Sequence, residues 1–266
     1  MAPDGVLLYP KPAGITSHDV VSEVRRRLGG RTRVGHAGTL DPFATGLLLV
    51  LAGRATRAQR FLMDLPKTYR VVARLGWRSD TGDREGRLEH TGRIPEAPRI
   101  ETGLRLQRPP PYSAVKVQGE RLYHRARRGD AVEGEPRPIT VYGAELLWHE
   151  GGRAAFEIQC SAGTYVRSLV AGLGDAYCEE LERIRVGPFR LEDADPERIV
   201  PLAQALAFLP ERQLDAEEAR RVGHGRRLPD SASPERFMRL THAGELVAVA
   251  EAWERELRPV VVFAPR

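Results

Sequence analysis

The sequence has few cysteines and no long apolar run, and each shortage excludes a class of protein. The chain of 266 residues holds two cysteines, Cys160 and Cys178, which lie far apart and form no Cys-x-x-Cys pair. We therefore expect two reduced thiols in the core of a cytoplasmic protein. No stretch of about 18 apolar residues occurs, and the N-terminus lacks a secretory signal pattern. Neither a membrane-spanning nor a secreted protein is expected.

Motifs for metals and for nucleotide cofactors are also missing. The seven histidines are scattered without a metal-ligand spacing, and no glycine-rich phosphate-binding fingerprint appears. Asp80, Asp83 and Glu85 lie among glycines, but their spacing is not that of a calcium loop. An exposed turn is the better interpretation of this segment. We therefore expect neither a metal nor a cofactor.

Lysine is rare, and arginine supplies almost all of the positive charge. Only three of the 41 basic residues are lysines, and the formal net charge is +5. A mildly basic protein is consistent with a polyanionic partner, but genome composition or a hot habitat also produces such a bias. With 41% apolar and 29% charged residues, the chain can bury the core of one large domain or two unequal ones.

One carboxylate, Asp41, stands in a constrained loop. The chain runs from Arg33 as Arg-Val-Gly-His-Ala-Gly-Thr-Leu-Asp-Pro-Phe-Ala-Thr-Gly and continues into the apolar residues 47–51. The glycines permit backbone conformations that a side chain would forbid, and Pro42 restricts the residue after the acid. The apolar run predicts a buried strand or helix segment that anchors the loop. Asp41 is either a turn cap, the commoner role for Asp-Pro, or a fixed catalytic acid.

Hydrophobic periodicity predicts the elements around this loop. Alternation predicts strands at residues 67–77 and 155–161, and a short strand at 5–9; helical spacing predicts helices after Thr16 and near residues 165–173. Tyr69 opens the strand at 67–77 and is a core aromatic unless something flat stacks on it. Arg167 falls in the first turn of a helix, where the helix dipole disfavours a cation. It therefore needs a carboxylate partner, and Asp41 is the natural candidate.

Two further regions differ from the rest of the chain. Residues 95–138 are rich in proline and arginine, and they interleave aromatic and cationic side chains. Such a loop suits phosphate contacts and base stacking, although a variable surface insertion explains the composition equally well. Beyond Pro210, the pattern predicts a compact, mainly β appendage of about fifty residues. That is small for an independent core, so we expect it to dock on the main domain.

Five motifs together resemble those of the TruB family of bacterial tRNA pseudouridine synthases. The segment from Gly35 to Gly46 is similar to the family's active-site motif, and four more blocks follow the family's order, beginning at Lys11, Lys67, Pro110 and Cys160. The resemblance implies an α+β fold, the pseudouridine synthase fold with a mixed, largely antiparallel sheet flanked by helices. It implies a catalytic domain at 1–211, with an RNA-binding insertion at about 95–138, and a small PUA-like RNA-binding β domain at 212–266.

The resemblance also implies roles for individual residues. Asp41 is the catalytic aspartate, Tyr69 stacks on the target uracil, and Arg167 is the ion-pair partner of the aspartate. Substrate contacts are implied for His36, which matches a histidine that binds the T-loop, for Asp83, an acid near the flipped base, for Leu181 in the apolar wall of the pocket, and for Tyr165 and Lys11. RNA binding is expected of four arginines in the insertion: Arg121, Arg125, Arg127 and Arg128.

The implied reaction converts a tRNA uridine into its C-glycoside isomer. It breaks N1–C1′ and joins C5 to C1′ without net redox change, so it needs no cofactor. One carboxylate can serve as nucleophile or base, whereas hydrolytic glycosidases use two, and the sequence offers no convincing second acid beside Asp41. The target base must leave its stack, and stacking on Tyr69 offsets part of that cost.

Two departures and one alternative accompany the resemblance. Ala37 stands where many relatives have threonine, and residues 174–186 lack the family's Leu-Arg-Arg-Thr, with Glu182 where a basic phosphate contact is expected. A tRNA-folding chaperone that binds and remodels the tRNA elbow is the alternative function; a guide-RNA-dependent relative is disfavoured because the appendage is short. The expected partner is tRNA, through its T-arm stem-loop, and the expected protein is a cytoplasmic monomer that binds neither membrane nor metal.

Overall fold

A computed structural model describes residues 4–113, 116, 117, 119–122, 125, 128, 130, 134–229 and 235–263, with the backbone alone at residues 116, 117 and 121. In this part of the chain the helices are α1 (Ser17–Arg27), α2 (Gln59–Met63), α3 (Val166–Ala171), α4 (Leu202–Ala205) and α5 (Ala216–Gly223). Short 3₁₀ helices span Gly53–Ala58 and Leu191–Asp193. No helix in the described ranges combines the length and apolarity that a membrane crossing requires.

The larger sheet has ten strands, namely β1 (Gly5–Lys11), β2 (Val34–His36), β3 (Thr45–Ala52), β4 (Lys67–Leu75), β7 (Gly103–Gln107), β10 (Arg137–Glu150), β11 (Arg153–Cys160), β12 (Ala176–Val186), β13 (Phe189–Arg190) and β14 (Asp195–Pro201). Two hairpins accompany it: β5 (Trp77–Ser79) with β6 (Leu88–His90), and β8 (Lys116–Val117) with β9 (Glu120–Arg121). A second sheet of five strands contains β15 (Glu211–Gln213), β16 (Leu228–Pro229), β17 (Phe237–His242), β18 (Glu245–Trp253) and β19 (Glu256–Val262).

The main sheet runs in the order β14-β1-β3-β12-β4-β11-β10-β7, with β2 beside β3 and β13 beside β12. The pairing of β12 with β3 is parallel, and the other pairings between described strands of this sheet are antiparallel. The predicted α+β fold with a mixed, largely antiparallel sheet is therefore confirmed. The order places β12, which comes late in the chain, between two early strands, β3 and β4.

Alternating side chains explain why β4 lies where it does. Tyr69, Val71 and Leu75 are buried in the main core, whereas Arg70 on the opposite face is exposed. The same core contains Val20 of α1, so the helices cover this face of the sheet. The period-two pattern in the sequence predicted this division, because successive strand side chains point to opposite faces.

The apolar run after Asp41 forms β3, which is buried on both faces. Leu48 and Val50 belong to the main core, while Leu47, Leu49 and Leu51 belong to a second core on the other face of the sheet. A strand covered on both sides needs a continuous rather than an alternating apolar sequence. Double-sided burial gives the adjoining loop a rigid base.

The second core also joins the C-terminal sheet to the main sheet. Leu246, Val249 and Phe263 pack in one cluster with Val6 and Leu8 of β1. The five-stranded sheet has a smaller apolar core of its own, which includes Val222 and Leu240. The docking expected from the small size of this appendage is present.

Both cysteines are buried and carry free thiols. Burial raises the pKa of the Cys160 thiol to about 11 and that of Cys178 well above its usual value. Because the thiolate is the reactive form, we predict that neither cysteine reacts with dithionitrobenzoate in the native protein at mildly alkaline pH. Both should react once the chain is unfolded in denaturant. A rapid reaction of either thiol in the folded protein would contradict the burial of that side chain.

Candidate active site

Asp41 lies in the connection between β2 and β3. The carbonyl of Asp41 accepts a hydrogen bond from Ala44 N (3.2 Å), which closes a turn, and the carbonyl of Pro42 accepts one from Gly14 N (2.9 Å). The side chain of Asp41 keeps 31% of its surface exposed. The loop therefore presents a carboxylate at the surface on a backbone that is fixed from two sides.

Arg167, at the start of α3, holds this carboxylate with two donors. Its Nε lies 2.8 Å from Asp41 Oδ2, and its Nη2 lies 3.3 Å from Asp41 Oδ1. The guanidinium also donates to the carbonyls of Thr81 (2.6 Å) and Tyr112 (2.9 Å), and the Arg167 side chain is only 3% exposed. The ion pair that the sequence suggested is present. A buried guanidinium that donates to both oxygens of a carboxylate fixes the orientation of that carboxylate.

Asp83 differs from the expectation of an exposed turn, which is wrong for this residue. Its side chain is buried, and its Oδ2 lies 3.4 Å from Arg167 Nη1. It also accepts hydrogen bonds from the Thr81 hydroxyl (2.6 Å) and from Glu85 N (3.0 Å). A second carboxylate thus shares the guanidinium with Asp41. Local composition could not reveal this, because Arg167, which compensates the burial, lies far away in the sequence.

Tyr69 and Leu181, the expected stacking and wall residues, lie in the main core. They are both buried in the main core, on the neighbouring strands β4 and β12. Burial raises the pKa of the Tyr69 hydroxyl, the charge and the hydrogen bond of Arg183 oppose this shift, and the negative charge of Asp41 makes a smaller contribution in the same direction as burial. The aromatic ring therefore lies within electrostatic range of the carboxylate, on a rigid strand.

Tyr165 and His36 lie on the segments that carry the ion pair. Tyr165 immediately precedes α3, and its backbone N and O are held by the side-chain amide of Gln107 at 2.7 and 3.0 Å. Burial raises the pKa of the Tyr165 hydroxyl, with a further contribution from Asp41. His36 is half-buried at the end of β2, and its carbonyl accepts a hydrogen bond from Gln59 (2.7 Å). Both residues therefore border the Asp41 loop.

Lys11 does not have the position expected of a substrate-binding residue. Its side chain is 1% exposed, and its ammonium donates to the carbonyls of Pro12 (2.7 Å), Ile15 (2.8 Å) and Pro42 (3.3 Å). Three carbonyls saturate the three donors of an ammonium. Burial lowers the pKa of Lys11 to about 8, against the opposing charge of Asp41. Lys11 fastens the Asp41 loop, and substrate binding by its ammonium stays a prediction.

The expected RNA-binding arginines are only partly described. Arg125 pairs with Asp130 (3.0 Å), and Arg128 pairs with Glu120 (2.6 Å). Arg127 and the side chain of Arg121 lie outside the described residues. The Arg128 side chain is 58% exposed, whereas that of Arg125 is only 17% exposed.

Arg183 is the residue that the sequence interpretation missed. It is 1% exposed and donates to the carbonyls of Leu47 (2.8 Å), Thr39 (3.3 Å) and Gly38 (3.0 Å), which flank Asp41 in the chain. The motif pattern pointed instead to the neighbouring Glu182, which is half-buried. The available signal was the spacing of two residues between Leu181 and Arg183, which places both on the inward face of one strand.

The assembled site is a carboxylate that is fixed, partly exposed and paired with a buried cation, beside an aromatic ring. Such a group can act as a nucleophile or a general base. The described residues contain no group of three or more His, Cys, Asp or Glu side chains that could hold a metal ion.

Comparison with known proteins identifies the family to which the chain belongs. A family model described as "TruB family pseudouridylate synthase (N terminal domain)" matches residues 25–166, and one described as "tRNA Pseudouridine synthase II, C terminal" matches residues 209–264. A protein of Thermobifida fusca named tRNA pseudouridine synthase B is 42% identical over 98% of this chain and 99% of its own length. One of the same name from Aquifex aeolicus is 38% identical over 85% and 87% of the two chains.

Solved structures also show a similar fold. The chain superimposes on a protein from an H/ACA ribonucleoprotein bound to a substrate RNA containing 2′-deoxyuridine, with a TM-score of 0.72 and 25% identity over 98% of this chain and 86% of that one. A Cbf5-Nop10-Gar1 complex contributes a match with a TM-score of 0.71 and 27% identity over 98% and 84% of the two chains. From its sequence, its fold and the two family models together, the chain belongs to the TruB family of pseudouridylate synthases.

Proposed function

We propose that this tRNA pseudouridine synthase isomerises the T-loop uridine at position 55 of tRNA, with Asp41 as its single catalytic carboxylate. The observation that carries the proposal is the Asp41–Arg167 ion pair, in which a buried guanidinium holds a partly exposed carboxylate. The reaction breaks the N1–C1′ bond and forms a C5–C1′ bond within one nucleotide. Electrons and protons balance without an external reagent, so positioning and one ionised carboxylate are sufficient.

Two carboxylates contact Arg167, and their surroundings distinguish them. Asp83 has an 8% exposed side chain and accepts hydrogen bonds from Thr81 and Glu85, so its oxygens are already engaged. The Asp41 side chain is 31% exposed and can reach a bound nucleotide. We assign the chemistry to Asp41. Asp83 balances the charge of Arg167 and, through Thr81, keeps the guanidinium in place.

The surroundings of Asp41 suit a base that has left its stack. Tyr69 offers an aromatic face and Leu181 an apolar one, whereas Tyr165 and His36 line the approach on the segments beside the ion pair. Stacking on an aromatic ring contributes about 1–3 kcal/mol per base, which offsets part of the cost of flipping. The arginines of the insertion supply positive charge for the phosphates of the T-arm.

The first prediction from the proposed function concerns Asp41. We expect Asp41→Asn to lower the single-turnover rate of uridine conversion in unmodified tRNA by more than about 10⁴-fold, because the nucleophile or base is removed, while tRNA binding persists. Asp193→Asn, at an exposed carboxylate of the 3₁₀ helix Leu191–Asp193, is the matched control. Failure of the wild type to convert tRNA would refute the function, and conversion by Asp41→Asn would refute the assignment. A protein that acts only as an RNA chaperone would show no difference between the variants.

The second prediction concerns Tyr69. Tyr69→Ala should slow conversion by about 10- to 100-fold, because the base no longer stacks on an aromatic ring, and should weaken tRNA binding much less. Tyr69→Phe retains the ring and should bind tRNA as the wild type does. Thermal melting controls for the cavity that the alanine leaves in the core. An equal reduction of rate and affinity would mean that Tyr69 chiefly binds.

The third prediction concerns the RNA surface of the insertion. Replacing both Arg125 and Arg128 by Glu should weaken tRNA binding and reduce the slope of log Kd against log salt by about one for each phosphate that is no longer neutralised. Arg198→Glu, at an exposed arginine on β14 at the opposite edge of the sheet, is the control with the same charge change per site. Equal effects of the two sets would show that total charge, not this surface, binds tRNA.

A further inference from the structure

Arg183 lies on β12, between the strand that follows the Asp41 loop and the strand that carries Tyr69. On one side of β12 it pairs in register with Gly46, the second residue of β3 after the Asp41 loop, and on the other side it pairs with Tyr69 of β4. Its guanidinium turns toward the loop and donates to the carbonyls of Gly38, Thr39 and Leu47. One residue thus contacts both ends of the loop that carries the carboxylate and the strand that carries the aromatic ring.

Two glycines allow the backbone of the Asp41 loop to approach Arg183 closely. Gly38 and Gly46 both have left-handed backbone conformations, with φ of +105° and +106°. A Cβ at Gly46 would lie 2.4 Å from the Arg183 carbonyl oxygen, and one at Gly38 would lie 3.6 Å from Arg183 Nη1. A side chain would therefore strain the backbone at both positions, and at Gly46 its Cβ would also clash with the backbone of β12. The two glycines let the backbone approach β12 on either side of Asp41.

Stability alone does not account for a cation at this position. Among the ion pairs of the described residues none involves Arg183, so its buried charge is compensated by carbonyl dipoles and not by a carboxylate. Burial and, to a smaller extent, the charge of Arg183 together lower the pKa of nearby Lys67 to about 8. Apolar residues of similar volume usually serve a core as well as buried charges or better. The arginine brings something that an apolar side chain cannot, namely three directed donors.

We propose that Arg183 is a positioning residue for the isomerisation, which sets the Asp41 carboxylate at its working distance from the uridine held by Tyr69. The inference rests on the proposed function and goes beyond it, since Arg183 itself does not touch the substrate. Its donors fix the carbonyls on both sides of Asp41, while Arg167 orients the carboxylate at the end of the side chain. Arg183 thus holds the backbone on both sides of Asp41, and Arg167 holds the Asp41 side chain.

The rate of the chemical step should therefore depend on the shape of this guanidinium. A displacement of about 1 Å at a reacting group costs on the order of 100-fold in rate. Lysine retains the charge of Arg183 but cannot present a planar fork to three carbonyls. Methionine fills the space without the charge. Both replacements should release the loop, and neither removes a group that contacts tRNA.

The experiment compares Arg183→Lys and Arg183→Met with the wild type in single-turnover conversion of unmodified tRNA, with enzyme in excess so that the first-order rate constant is independent of the active fraction. Dissociation constants for tRNA and melting temperatures are measured alongside. We expect the rate constants of both variants to fall on the order of 100-fold with unchanged tRNA affinity. The controls are Arg185→Lys and Arg185→Met, at an exposed arginine on the same strand whose Nε donates to the Gly187 carbonyl (2.9 Å).

The outcomes separate the two proposals. A wild type that leaves tRNA unconverted would refute the proposed function. A wild type that converts tRNA, with Arg183 variants of lower melting temperature and undiminished rate constant, would overturn the positioning role and make Arg183 purely structural. Should both variants fail to fold, Gly38→Ala tests the same loop, because its Cβ would meet Arg183 Nη1 at an ordinary contact distance of 3.6 Å while it strains the backbone next to the Gly38 carbonyl. It should slow conversion without weakening tRNA binding, and a rate equal to that of the wild type would overturn the proposal.

Discussion

The active site depends on the buried guanidinium of Arg167. This group neutralises two carboxylates, Asp41 and Asp83, and donates to the carbonyls of Thr81 and Tyr112. It thereby joins four segments that are far apart in the chain. A buried arginine is tolerated when its donors are satisfied and its charge is balanced. The same contacts orient the Asp41 carboxylate, whose side chain stays 31% exposed.

Near the Asp41–Arg167 ion pair, two other buried cations bind the backbone of the Asp41 loop. Lys11 holds the Pro42 carbonyl, and Arg183 holds the carbonyls of Gly38, Thr39 and Leu47. Because β3 is buried on both faces, the end of the loop cannot shift with the surrounding solvent-exposed segments. A short loop with few conformations of its own is thus made into a rigid support for Asp41. Rigid placement is what a reaction with a single carboxylate requires.

The topology of the main sheet explains how distant segments meet. The strand β12 inserts between β3 and β4, so the Asp41 loop and the start of β4 with Tyr69 lie on either side of one strand. The C-terminal sheet shares a core with β1 and β3, behind the loop. Its attachment therefore supports the same strands that carry the site.

The sequence by itself determined the strands β1, β4 and β11, the helices α1 and α3, and the candidate acid, because alternation, capping and glycine placement act over a few residues. It did not predict β12, the strand that joins the two parts of the site. Tyr69 on its alternating strand, Thr16 at the start of α1 and the Asp41–Arg167 contact were all deduced from such patterns and from the motifs. Only the tertiary structure decided that Asp83 is buried, that Lys11 faces the backbone and that Arg183 supports the loop. The free energy of burying a charge depends on partners brought together by the fold, and local sequence carries no record of them.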